Sequence, residues 1–255
     1  MSKASHETVY QEFEHAYSLI RKMTGIDFIK PTLCIGDEHR PRFFEFNSMR
    51  DLGRYGQIQM IYDEVTNSIL VPEHLLSSPF IHLPNYARDN RCFGFRHECV
   101  HALSSQINPE KDVIVKSKRK KDEETKYVFV AFDEGLANHL AIDSASLSDD
   151  EDIKEKAKQV KNEMIDGYKE WTGNKGNMEI MAKVYGQKPD DIAGILHAYF
   201  SATPYILEPY KYLIGYRFIQ LLRPRISRRN LRALIQNPPT TIRQLIYPET
   251  CKRAN

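Results

Sequence analysis

Val9, Phe13, Ala16, Tyr17, Ile20 and Met23 recur at three- and four-residue intervals across residues 5–24, and Gly25 follows directly. That period predicts an opening amphipathic helix with a glycine stop. The pattern then shortens to runs at 31–35, 58–62 and 68–71 that are rich in β-branched or aromatic residues. Gly53, Gly56 and residues 63–67 supply turn signals and Pro72 ends the last run, so these read as short strands. Helical spacing returns over about 88–106 and again over 129–142. In the second stretch Glu134, Asn138 and Ala141 share one side, while Phe132, Leu136 and Leu140 are available for packing. Residues 149–167, 177–185, 189–200, 205–222 and 230–236 continue as helices, with Pro189-Asp190-Asp191 as a start signal. No internal repeat interrupts this order.

The expected class is α+β, with a small mixed or antiparallel sheet over the 88–106 helix and a mainly helical C-terminal part. A single domain spans 1–255 in this reading, its α/β part reaching about residue 110 and its helical part beginning near 128. Between them KSKRKKDEETK, residues 116–126, is almost wholly charged and reads as a solvated loop or hairpin tip.

Within the 88–106 helix lies His97-Glu98-Cys99-Val100-His101. Two histidines four residues apart share a helical face, so both imidazoles can reach one metal ion. Glu98 stands about 100° around the helix, beside the ion, where a base acting on a metal-activated water belongs. Phe95, Val100, Ala102 and Leu103 suit a buried helix. A third ligand is expected from Asp133-Glu134-Gly135-Leu136-Ala137. Of Glu134, Asp133 and His139, helical geometry favours Glu134, and the resulting His97, His101, Glu134 set leaves a tetrahedral Zn²⁺ one open position. Asn138, one turn beyond Glu134, is placed to support a ligand histidine. An oxyanion donor is expected from the tyrosine-rich segment Tyr205 to Tyr216.

Size and charge narrow the field without redirecting it. At 255 residues the chain can bury an ample core without staples. The cysteines Cys34, Cys92, Cys99 and Cys251 show no paired spacing and read as reduced thiols of a cytoplasmic protein. The first residues are charged throughout, which argues against a signal peptide, and no run of 18 apolar residues spans a membrane. Net charge is +2, yet residues 209–248 contain no acid and hold Lys211, Arg217, Arg223, Arg225, Arg228, Arg229, Arg232 and Arg243. A solvated rim, or ion pairs with the acidic stretch 149–155, is favoured over nucleic-acid binding because no nucleic-acid motif accompanies these residues.

The pair His97-Glu98-x-x-His101 and Asp133-Glu134-Gly135-x-Ala137 resembles the gluzincin group of zinc metallopeptidases. The segments Tyr212-Leu-Ile-Gly215-Tyr-Arg-Phe218 and Asn237-Pro238-Pro239-Thr240-Thr241 are similar to the closing part of small uncharacterised bacterial and archaeal metallopeptidase-like proteins. Here Tyr247-Pro248 replaces the usual His-Pro, and Cys99 sits inside the pentad. The resemblance implies a zincin-like fold, one catalytic zinc, Tyr212 as the tyrosine beside the cleft, and hydrolysis of a peptide or protein substrate. The rivals are a non-catalytic zinc-containing peptide-binding module and a basic C-terminal surface that binds nucleic acid.

Overall fold

The computed structural model describes residues 4–36, 60–76, 86–116, 123–173, 179–180, 182–184, 186–188, 190–202, 211–222 and 228–250. The chain forms two compact units that are not consecutive halves. One comprises Met1–Leu103 with Leu140–Ala157, the other Ser104–His139 with Lys158–Asn255. Helix dominates the described residues, with a three-stranded mixed sheet, so the α+β class holds.

In the first unit, α1 spans His6–Thr24, its start capped by Ser5 and its end turned by Gly25 at φ 65. Its buried stripe, Val9, Phe13, Ala16 and Ile20, is the one the spacing predicts. The strands are β1 (Thr32–Ile35), β2 (Ile61–Asp63) and β3 (Ser68–Val71). β3 is central, parallel to β1 and antiparallel to β2, with Tyr62 opposite Ile69 and Leu33 opposite Ile69 on the other side. The β2–β3 turn is built by Asp63, which accepts from the Val65 amide and the Thr66 hydroxyl, and by Asn67 in the left-handed region at φ 49. Asn67 then gives its carbonyl to the Thr32 amide, tying the turn to β1.

Helix α2 (Tyr86–Ile107) carries the histidine pentad. Phe95 packs on Phe13 of α1 with ring centroids 5.6 Å apart, and Phe95, Val100, Ala102 and Leu103 are all fully buried. Arg91 supplies a second link to α1. Its Nε and Nη2 grip both carboxylate oxygens of Glu12 at 2.8 and 2.9 Å, and both side chains are almost wholly buried.

In the second unit, α3 (Pro109–Lys116) follows at once. Asn108 accepts from the Lys111 amide, and Pro109 takes the first helical position. Helix α4 (Glu123–Ser146) begins earlier than the apolar pattern indicates. The 116–126 charge run is therefore no continuous loop: Lys116 closes α3 and residues 123–126 form the first turn of α4, where Glu123 and Glu124 favour the helix N-terminus. Residues 117–122 lie outside the described set. Helices α5 (Glu151–Gly173), α6 (Ile192–Ala202), α7 (Lys211–Leu222), α8 (Arg228–Gln236) and α9 (Ile242–Ile246) complete the chain. Of the expected helix over 177–185, residues 179–180 and 182–184 are described and are helical; residues 205–210 lie outside the described residues.

The Pro238-Pro239-Thr240-Thr241 stretch has a structural explanation. Thr241 forms a capping box with Gln244 at the start of α9, while Glu124 accepts from the Ile242 amide and Thr125 donates to the Thr240 carbonyl. The stretch thus fastens α9 to the first turn of α4. No helix among the described residues is long and apolar enough to cross a membrane. Asp150 and Asp152 of the acidic stretch pair with Arg88 of α2.

Candidate metal centre

Helix α2 meets the sheet at β2, one of its two outer strands. A Cβ on Gly94 would stand 2.8 Å from the Met60 methyl group, so the absent side chain lets Met60 settle on the helix. One turn further along, Glu98 receives the Tyr62 backbone N–H on Oε2 at 2.7 Å. Glu98 is only 8% exposed, so its carboxylate is held from the main chain rather than left in solvent. The strand nearest the pentad in sequence, β3, is paired on both sides, with β1 and β2 as the two outer strands. β3 therefore offers no free edge to an extended peptide.

His97 and His101 are half-buried on one face of α2 with their Nε2 atoms 3.0 Å apart. Their rings meet edge to face, centroids 4.7 Å apart. One ligand atom from each of His97, Glu98 and His101 falls within 4.8 Å of the others. Two nitrogens about 2.0–2.1 Å from a tetrahedral zinc stand roughly 3.3 Å apart, close to the separation found. The same distance suits an imidazole–imidazole hydrogen bond. The donor chemistry favours a borderline-soft divalent ion: calcium and magnesium take oxygen shells, whereas paired imidazoles suit zinc and its transition-metal neighbours.

Burial sets the chemistry of the surrounding thiols. Desolvation pushes Cys92 up to about 12, and Cys99, inside the pentad and fully buried, higher still. Both are packing residues held as thiols.

The remaining expected site residues belong to the second unit. Glu134 is half-buried on α4, and Asn138, buried one turn on, donates its amide to the Glu134 carbonyl at 3.0 Å. Asp133, the neighbouring acid, is engaged by Lys111 at 2.8 Å. That ion pair is nearly buried, and Lys111 Nζ also bonds Ser104 Oγ at 3.1 Å. Lys111 thus holds the C-terminal end of α2 and the acid beside Glu134 from one ammonium, a link absent from the sequence reading because it joins three separate elements. His139 is a core residue with its ring 5.8 Å from that of Tyr216. Tyr212 is half-buried on α7, with Lys211 Nζ 5.2 Å from its ring centroid. Tyr216 is core, and Tyr205 and Tyr210 lie outside the described residues.

No known protein family, curated protein or solved structure matches the chain. The geometry of its residues carries whatever is said of its chemistry.

Proposed function

We propose that the chain is a zinc-dependent metallopeptidase of gluzincin type, acting on a peptide or protein substrate. The single observation that carries this reading is the convergence of His97, Glu98 and His101 ligand atoms within 4.8 Å on one helix. In this reading His97 and His101 hold the ion through Nε2, and Glu134 provides the third ligand. Bound zinc supplies Lewis acidity toward the scissile carbonyl and acidifies water. Glu98 takes the proton of the attacking water and delivers it to the departing amine. The Tyr62 N–H, bonded to one carboxylate oxygen, orients that base during both transfers. Tyr212 donates to the oxyanion.

The test is metal analysis of the purified chain with a broad peptide-library cleavage assay. The expected result is one zinc per chain and hydrolysis in the parent, zinc without hydrolysis in Glu98→Gln, and neither in His101→Ala. Hydrolysis retained by Glu98→Gln rejects the assigned base. Zinc retained by the parent with no cleavage assigns the site to binding instead.

A further inference from the structure

Helix α2 buries Arg91 and Arg96, and among the described residues only Arg91 has its guanidinium edge satisfied. Arg91 spends the edge of its guanidinium formed by Nε and Nη2 on the Glu12 carboxylate, and its Nη1 on the Leu75 carbonyl. Arg96, five residues later, is the largest fully buried side chain among the described residues at 0% exposure. Its Nη1 donates to the Cys92 carbonyl, but Nε and Nη2, the same edge that grips Glu12 at Arg91, meet no acceptor among the described residues. The guanidinium does not shed its proton, so the charge cannot be relieved that way.

Burial pushes the Arg96 guanidinium below its ordinary value, and the one carboxylate among the described residues that counters this is Asp150, which has other partners of its own. Its Oδ1 accepts from the Asp152 and Ile153 amides at the start of α5 and from Arg88 Nη2. On the face of α2 that Arg96 shares lie Cys92, four residues before it, and Cys99, three after, both buried and offering polarisable sulfur rather than a carboxylate. A buried cation without a counter-charge is among the costliest arrangements in a protein interior.

We propose that Arg96 anchors an internal site for a small monovalent anion, a halide or a short carboxylate, gripped by the Nε and Nη2 edge as Glu12 is gripped at Arg91. Two parallel N–H donors on a planar fork select an acceptor small enough to take both and carrying a single negative charge to balance the guanidinium. The site is independent of the metal reading, since it uses no metal ligand.

The experiment uses the full chain in EDTA-containing sodium gluconate buffer, exchanged at constant ionic strength for sodium chloride, sodium bromide or sodium formate, with thermal unfolding as readout. A rise in Tm that is logarithmic in anion concentration above its Kd, roughly 3 °C per tenfold, is expected. A response to both halides points to a spherical anion, and a response to formate alone to a carboxylate. Bromide-soaked crystals should show anomalous density beside Nε and Nη2 of Arg96. Arg96→Met should abolish the response; Arg96→Lys, which keeps the charge and loses the fork, should weaken it at least tenfold. Superimposable Tm values in gluconate and all three salts, with no bromide density, overturn the proposal. The parent titration and the bromide map decide the matter even if both variants fail to fold.

Discussion

Gly135 of α4 and Gly215 of α7 meet main chain to main chain. A Cβ on Gly135 would fall 2.0 Å from the Gly215 carbonyl carbon, and one on Gly215 would fall 1.7 Å from the Ala131 oxygen. Phe132 and Phe218 close the crossing on one side with ring centroids 6.0 Å apart. The glycines of the Asp-Glu-Gly and Tyr-Leu-Ile-Gly motifs are therefore two halves of one helix contact, made directly beside Glu134 and one turn from Tyr212.

Gly135→Ala sets two effects against each other. Alanine improves helix propensity by about 1 kcal/mol, but the methyl has only backbone to displace, and overpacking of this kind costs about 3 kcal/mol or more. The clash wins, so a lower Tm or loss of folded protein is expected by circular dichroism. Gly173→Ala, with nothing within 4 Å of its added Cβ, is the control and should leave Tm unchanged or slightly raised.

Removing one partner of the Glu12–Arg91 pair leaves a buried cation. Glu12→Ala should destabilise the chain by about 3–5 kcal/mol in denaturant titrations. The double variant Glu12→Met/Arg91→Met should recover most of that loss. Equal stability of the single and double variants would show that the charge is not what matters.

Asp133 and Glu134 are adjacent acids, to which the proposed zinc site gives different roles. Asp133→Asn should unsettle Lys111 and lower stability while changing zinc affinity by about tenfold, the size of an outer-shell effect. Glu134→Gln should leave the fold intact and weaken zinc far more, as measured by chelator competition. The reverse ranking would make Asp133 the ligand.

The buried thiols predict a pH dependence. Cys92 keeps its proton in the folded chain until about pH 12, whereas an ordinary thiol releases it near 9.0. The folded state therefore binds the proton more tightly. This contribution to stability is complete below pH 9.0 and drains away as pH rises toward 12. At pH 8 Cys92 therefore stands almost wholly as the unreactive thiol. Iodoacetamide should then label half-buried Cys34 and spare Cys92 and Cys99 when sites are mapped by mass spectrometry.

What the sequence reveals is what a single element encodes. The pentad was legible because its spacing is that of one helix face, and α1 because its apolar stripe, Ser5 and Gly25 all agree. The first turn of α4 was missed because charge density reads as loop, although Glu123 and Glu124 are acids suited to a helix start. Helix α3 was missed despite Asn108-Pro109, a cap and first-turn pair. Arg91–Glu12, 79 residues apart, and Lys111–Asp133 leave no local period at all. They exist only once helices pack, as does the meeting of Gly135 with Gly215.

The partner that orients Glu98 belongs to the peptide backbone, so it is present whatever side chain stands at position 62. Mutational drift there can alter the ring without loosening the acid. Proline is the one natural residue that would erase the tether, because it alone lacks the hydrogen.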